Sequence, residues 1–111
     1  MHELAIADAV VQVALEQAVD RRIARVGMRI GELRQIVPSS LRFSFELVAR
    51  ETLAEGAELE IEQVAARVHC AHCDADSYPH AFPLVCHACG TLDVAVTGGD
   101  EMLVEWIETE G

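Results

Sequence analysis

Residues 70–90 read CAHCDADSYPHAFPLVCHACG, and this stretch decides how the chain can fold. It holds all four cysteines, three of the five histidines and two of the three prolines, and it has little apolar periodicity. Such a segment cannot be ordered by burying apolar side chains. We therefore expect a bound metal ion to order it, while the flanking sequence supplies the hydrophobic core.

The cysteines form two Cys-x-x-Cys pairs with twelve residues between them. Zinc takes four ligands at tetrahedral corners, and at a Zn–S distance of about 2.3 Å neighbouring sulfurs lie roughly 3.8 Å apart. A tight turn within each pair can span that distance. Asp74 and Gly90 follow the two pairs, at positions where a left-handed residue completes such a turn. The pattern predicts a closed, structural zinc site with four thiolate ligands, namely Cys70, Cys73, Cys86 and Cys89.

Two other uses of these cysteines stay open. A rubredoxin-like iron site would use the same thiolates, although the segment between the pairs is short for it and contains only Tyr78 and Phe82 as aromatic residues. A dithiol redox site would need one pair and leave the other unexplained. Four histidines crowd this segment, and they are either exposed loop residues or replacement and second-metal ligands whose binding changes with pH. They are His69, His72, His80 and His87.

The flanking sequence predicts two helices and three strands. Apolar residues recur at helical spacing from Leu4 to Val19, and Pro38 begins a second helix that is expected to run to about Ala54. Residues 24–30 alternate as a half-buried strand, as do residues 57–62, whose strand continues less cleanly to His69. A final strand covers 102–107. The apolar stripe of the first helix is expected to face the core, and it consists of Leu4, Ala7, Val11, Ala14, Leu15 and Ala18.

These elements predict an α+β fold in which two helices pack on a three-stranded sheet, with an inserted small zinc-ribbon lobe. We expect residues 1–66 and 98–111 to form one discontinuous α+β domain and residues 67–97 to form the zinc-binding ribbon domain.

The charge of the chain limits its partners. It has 8 arginines, no lysine and 19 acidic residues, which gives a formal net charge of −11. A nucleic-acid partner is not expected, because proteins that bind phosphates need clustered basic residues. The N-terminus has no basic region typical of a secretory signal, and no apolar run approaches the roughly 20 residues of a membrane span. We expect a cytoplasmic protein, in which cysteines stay reduced.

A second metal site is suggested by the first three residues. The Met1 amine, the His2 backbone nitrogen and the His2 imidazole can occupy three corners of a square plane, and the Glu3 backbone nitrogen can supply the fourth. Nitrogen-rich square-planar donors suit Ni(II) or Cu(II). A histidine at position 2 is weak support by itself, and the positive end of the first helix disfavours a cation by about 0.3–1 kcal/mol.

The chain resembles the HypA/HybF family of hydrogenase maturation (nickel incorporation) proteins along essentially its whole length. The resemblance is carried by Met1-His2-Glu3-Leu4, Gly31-Glu32-Leu33, Pro38 with Leu41, Phe45-Glu46-Leu47, Gly56-Ala57-Glu58-Leu59, both cysteine pairs and Gly99-Asp100-Glu101-Met102. Departures from the family pattern are Asp74 in place of a glycine and Ala65 in place of a proline. Ser39, Ser40 and Gly98 are poor candidates for the fifth nickel donor that some members add.

The resemblance implies a nickel metallochaperone. It assigns Ni(II), as transported cargo, to Met1, His2 and Glu3, and a structural zinc ion to the four cysteines. It also implies a HypB-type GTPase as partner and the precursor of the [NiFe]-hydrogenase large subunit as recipient of the nickel.

Two other classes of function, a protein-interaction adaptor and an enzyme, are weighed against the nickel metallochaperone. The alternative is an acidic zinc-ribbon adaptor that recruits a protein and delivers no nickel. An enzyme is not expected, because the sequence has no nucleophile–base pair at a recognisable spacing and no phosphate-binding glycine loop. A homodimer stays open, since Trp106 and Ile107 fit either a core or an interface.

Overall fold

The computed structural model describes residues 2–111, which form an α+β fold with two helices and two small sheets. In chain order the elements are α1 Glu3–Ala18, β1 Ile23–Gly31, a 3-10 helix Glu32–Arg34, α2 Pro38–Ala49, β2 Glu58–Val64, β3 Arg67–Cys70, β4 Asp76–Ser77, β5 Val94–Gly98 and β6 Met102–Thr109. The predicted fold class is confirmed. No helix within residues 2–111 combines the length and the apolar character that crossing a membrane requires.

The first sheet has the strand order β2-β1-β6, with β1 parallel to β2 and antiparallel to β6. The alternation predicted for β1 places Val26, Met28 and Ile30 towards the helices, and each is at most 4% exposed. Leu41 and Phe45 of α2 complete the same core. Each such buried side chain contributes about 1.5–3 kcal/mol relative to an exposed one, so this core holds the helices on the sheet.

The opposite surface of the first sheet, called the outer face below, is charged. Its side chains alternate with the buried ones along β1 and β2, while an irregularity in β6 places the consecutive residues Glu105 and Trp106 on the same face. The members of this face are Arg25, Arg29, Glu58, Glu60, Glu62, Leu103, Glu105, Trp106 and Glu108. The guanidinium of Arg25 lies 3.1 Å from a carboxylate oxygen of Glu60 and 2.9 Å from one of Glu108. Trp106 covers Gly27, its partner in the β1–β6 register.

The second sheet has the order β4-β3-β5 and is antiparallel throughout. Val68 of β3 is fully buried, and the strand ends at Cys70, the first cysteine of the metal segment. The chain therefore contains a separate small sheet where the sequence predicted a ribbon lobe.

The chain leaves the first sheet and returns to it at one place. The backbone N–H of Ala66 donates to Glu32 Oε1 at 2.8 Å, and the N–H of Leu33 donates to the carbonyl of Gly99 at 2.8 Å. Gly99 has φ +93°, and a Cβ there would lie 2.4 Å from Cα of Ala66. Only glycine fits this position, because the left-handed backbone and the lack of space both exclude a side chain.

The second helix is shorter than the sequence predicts. It ends at Ala49, and Glu51 has φ +62°. The Thr52 hydroxyl donates to the carbonyl of Ala49 at 2.7 Å and accepts the N–H of Ala54 at 3.0 Å. The N–H of Thr52 also donates to the carbonyl of Ala49, and the N–H of Glu55 donates to the carbonyl of Thr52, both at 3.1 Å. These backbone bonds form tight turns whose three-residue spacing continues the apolar period of the helix, so the prediction of a helix to Ala54 is wrong.

The strand predicted to continue to His69 is also interrupted. β2 ends at Val64, and the chain starts a new strand at Arg67 that belongs to the other sheet. The N–H of Ala66 donates to the Glu32 side chain and not to a neighbouring strand. Strand β5, Val94–Gly98, was not predicted.

Candidate metal centres

The four cysteine side chains converge on one point. All four Sγ atoms lie within 4.8 Å of one another, with Cys70 Sγ 3.6 Å from Cys89 Sγ and Cys73 Sγ 3.5 Å from Cys86 Sγ. These distances match the roughly 3.8 Å edge of a zinc tetrathiolate. The predicted convergence of the two pairs is confirmed, and a dithiol redox site that uses only one pair would leave the presence of the other pair in the cluster unexplained.

Each cysteine pair is held in a similar turn. The N–H of Cys70 donates to the carbonyl of Ala75 at 2.9 Å, and the N–H of Cys86 donates to the carbonyl of Thr91 at 3.0 Å. Asp74 has φ +63° and Gly90 has φ +80°, so both adopt the left-handed conformation that the sequence predicts for them. The two turns therefore present their sulfurs in matching ways, as the two halves of a tetrahedral site require.

Backbone amides favour the thiolate form at the first cysteine of each pair. The N–H groups of His72 and Cys73 donate to Cys70 Sγ at 3.3 and 3.4 Å, and the N–H of Cys89 donates to Cys86 Sγ at 3.4 Å. The bond from the Cys73 amide lowers the pKa of Cys70. The bond from the Cys89 amide lowers the pKa of Cys86 to about 6. Both sulfurs are thus prepared to act as metal ligands.

The second cysteine of each pair behaves differently. The amide of Ala75 lowers the pKa of Cys73, but the neighbouring sulfurs of Cys86 and Cys70 outweigh it and raise the pKa to about 12. Four thiolates so close together repel one another unless a cation lies between them. A soft divalent cation removes this repulsion, so the donor set fits a zinc ion.

The histidines of this region lie outside the sulfur cluster. Both ring nitrogens of His69 lie 2.8 Å from carboxylate oxygens, Nδ1 from Asp76 and Nε2 from Asp74. The bond with Asp76 and then the bond with Asp74 raise the pKa of His69. His72 Nε2 lies 3.0 Å from Asp93. A role of the four histidines in metal exchange stays a prediction, and for His69 and His72 it would require breaking these contacts.

Sequence reasoning missed the aspartates that hold His69. His69 and Asp76 face each other in the antiparallel β3–β4 pair, a relationship that links residues seven positions apart. β4 has only two residues, too few to show a period in the sequence.

The proposed nickel ligands lie at the start of α1. His2 is exposed and immediately precedes the helix, and its carbonyl accepts the N–H of Ile6 at 3.0 Å. Glu3 is the first residue of α1, and Met1, the third residue expected to bind nickel, lies outside the described residues. Leu4 is 57% exposed, so its prediction as a core residue is wrong. The first turn of α1 borders solvent because the helix extends beyond the core there.

An open groove lies beside His2. It has a volume of about 690 Å³ and runs between the first turns of α1 and α2. Its walls include Glu3 from α1, and Ser39, Ser40, Phe43 and Ser44 from α2. The groove leaves His2 accessible to a metal ion or to another protein.

A family model described as "Hydrogenase/urease nickel incorporation, metallochaperone, hypA" matches residues 1–109. The chain is 42% identical over 113 residues to the hydrogenase maturation factor HypA of Azotobacter chroococcum and 37% identical over 110 residues to that of Geobacter metallireducens. Each alignment covers 99% of this chain and all of the relative.

Solved structures give the same result. The solution structure of the Ni metallochaperone HypA from Helicobacter pylori is 27% identical, with a TM-score of 0.67 over 98% of this chain and 97% of that one. A second solution structure, of a HypA protein, has a TM-score of 0.71 at 27% identity over 99% of this chain and 97% of that one.

Proposed function

This chain belongs to the HypA family of nickel metallochaperones for hydrogenase maturation, and from that premise we propose that it carries Ni(II) on its first three residues. In this proposal Met1, His2 and Glu3 bind the ion, and the protein delivers it to the precursor of the [NiFe]-hydrogenase large subunit. The relatives are hydrogenase maturation factors, and the matching family model describes a metallochaperone. Delivery requires no catalytic residue on this chain.

One observation carries the proposal: His2 is exposed beside an open groove at the start of α1. A carrier must bind its metal tightly enough to select it and must still release it to a partner. An exposed site can be remodelled by a protein that docks against it, whereas a buried site cannot. The groove provides room for such a contact.

The electrostatics of α1 favour one form of the nickel complex. The N-terminus of a helix disfavours a bare cation by about 0.3–1 kcal/mol. When the backbone nitrogens of His2 and Glu3 bind as deprotonated amides, they cancel both charges of Ni(II). The helix then faces a neutral complex, so amide coordination offsets the unfavourable dipole.

We propose that the four cysteines hold a structural zinc ion. Four thiolates would fill a tetrahedral coordination shell and leave no open position, so the ion would supply folding energy and no chemistry. We also propose the division into a nickel-binding domain, residues 1–66 with 98–111, and a zinc-binding domain, residues 67–97. The separate hydrogen-bonding of the two sheets supports this division.

Hydrogenase maturation implies hydrogenase-related partners. We propose a HypB-type GTPase as the partner that works with this chain and the large-subunit precursor as its client. A homodimer and a cytoplasmic location stay predictions. Reduced thiols, which the proposed zinc site requires, support the second of these.

The nickel site is tested by comparing the native chain with a His2→Ala variant and with a chain extended by several residues, none of them histidine, before Met1. Both changes should abolish nickel binding in a titration, since the first removes the imidazole and the second moves the terminal amine away from it. His80→Ala is the matched control and should bind nickel normally. All four proteins should contain one zinc ion. Unchanged nickel affinity in the His2→Ala variant would contradict the proposal.

Delivery is tested with the purified GTPase and the large-subunit precursor. Nickel should reach the precursor from the native chain and not from the His2→Ala variant. An adaptor without cargo would support maturation equally well with either chain, which separates the two functions.

A further inference from the structure

The outer face of the first sheet is open to solvent. The helices pack on the inner face, while the side chains of Arg25 and Glu108 are 42% and 50% exposed and Trp106 is 39% exposed. A tryptophan left half-exposed in the middle of a charged surface keeps a large apolar area in contact with water. Tryptophan and arginine are also the residues most enriched where protein partners bind tightly.

Trp106 is held rigidly in this position. Its indole occupies the space above Gly27, where a Cβ would lie 2.1–2.5 Å from ring atoms. The guanidinium carbon of Arg25 lies 5.6 Å from the ring centroid. A ring fixed between the strand backbone and a guanidinium loses little entropy when a partner covers it, so it can serve as an anchor.

The outer face carries an excess of negative charge. It has five carboxylates and two guanidinium groups, hence three uncompensated negative charges. Arg29 lies 3.6 Å from both Glu62 and Glu105, and its Nε is buried without a hydrogen bond within residues 2–111. Glu62 and Glu105 are therefore only loosely engaged and can accept hydrogen bonds from an incoming donor.

A small depression lies beside Trp106 on this face. It has a volume of about 240 Å³, and its walls include Trp106 with the carboxylates of Glu60, Glu62 and Glu105. An aromatic wall next to several carboxylates is the environment in which proteins bind an ammonium or guanidinium group. The depression thus matches the head of one lysine or arginine side chain.

We propose that the outer face is a docking surface for a basic protein partner, with Trp106 as anchor and a lysine or arginine of the partner in the adjacent depression. Charge complementarity selects this occupant, because a second copy of the chain would bring the same negative excess against it. The inference rests on the proposed function in one respect: the partner is one of the two maturation partners, whichever presents the basic surface.

The test is a titration of the native chain and its variants with the purified GTPase and, separately, with the purified large-subunit precursor. Trp106→Ala should weaken binding of one of these partners by at least about tenfold. The double variant Glu60→Gln with Glu62→Gln should weaken the same partner and reduce the salt dependence of its dissociation constant. Nickel affinity should stay unchanged in all variants.

A second double variant, Glu16→Gln with Glu51→Gln, is the matched control. It removes the same charge from exposed positions on α1 and in the turn after α2 and should leave binding unchanged. If both control and test variants bind equally well, the docking surface is refuted and the nickel proposal stands. If the native chain binds neither partner, the docking surface and the proposed delivery both fail, whereas nickel binding is judged by its own titration.

Trp106 also gives a measurement that needs no variant. It is the only tryptophan of the chain, so its fluorescence reports on the outer face alone. Relative to free N-acetyltryptophanamide, quenching by iodide should be reduced more than quenching by caesium, because the surface attracts cations. Adding the bound partner should protect Trp106 from acrylamide. Iodide quenching that is reduced no more than caesium quenching, or no protection by a partner that binds, would overturn the proposal.

Discussion

The indole of Trp106 occupies the space that a side chain at Gly27 would need. A Cβ on Gly27 would lie 2.1 Å from Trp106 Cε2. We expect Gly27→Ala to destabilise the protein by about 1–3 kcal/mol, because the indole must leave the sheet surface. In a Trp106→Ala background the same change should be neutral or stabilising by up to about 1 kcal/mol, since alanine is favoured over glycine within a strand.

Denaturant unfolding of the four proteins in this cycle measures the coupling between the two residues. An equal cost of Gly27→Ala in both backgrounds would show that the indole does not occupy this space.

The core of the first sheet depends on α2. Phe45 is 1% exposed, and Phe45→Ala should cost about 3–5 kcal/mol of unfolding free energy because it leaves a cavity under the helix. Phe43, two residues earlier, is 62% exposed, and Phe43→Ala should change stability by less than about 0.5 kcal/mol. Similar costs for the two variants, measured by denaturant unfolding, would contradict the assignment of the buried face.

Removing zinc should disorder one sheet and spare the other. β3 is held by its pairing with β4 and β5 and by the cysteine cluster, whereas β1 belongs to the main hydrophobic core. With a strong chelator, amide exchange should become fast in β3 and stay slow in β1. Cys86→Ser should reproduce this result without a chelator. Loss of protection in both strands together would show that the two units fold as one.

Nickel binding should depend steeply on pH. Each backbone nitrogen that binds the ion first releases its proton, so protons compete directly with nickel. With two such nitrogens, affinity should fall by at least about a hundredfold for each pH unit below neutrality. Nickel titrations between about pH 6 and 8 test this, with zinc content as control. A dependence of tenfold or less per unit would indicate that backbone nitrogens do not bind.

The parts of this fold that follow local rules could be predicted from sequence. The alternation of residues 24–30 identified β1, and the spacing of the cysteine pairs identified the cluster and the left-handed residues Asp74 and Gly90. Each of these signals acts over a few residues. The spacing of a cysteine pair specifies the turn that holds it, and the period of a strand specifies which of its side chains are buried.

The parts that depend on distant partners could not be predicted. Cys70 pairs with Val94, and this register has no local pattern in β5 to reveal it. The end of α2 at Ala49 is hidden because the following turns keep the spacing of the helix. The sequence showed the acidic residues of the outer face but not the position of Trp106. The indole lies over Gly27 only because of the β1–β6 register, which links distant parts of the chain.

The contact between Ala66 and Gly99 makes the intervening segment one long connection whose two ends touch. The free-energy cost of closing such a connection, which arises from lost chain entropy, rises only by about 0.6 kcal/mol for each doubling of its length. The stability of the first sheet therefore depends only weakly on the length of the segment between Ala66 and Gly99. Insertions, deletions or a transplanted module from a relative could be accommodated between these two residues, leaving the first sheet and the start of α1 unaltered.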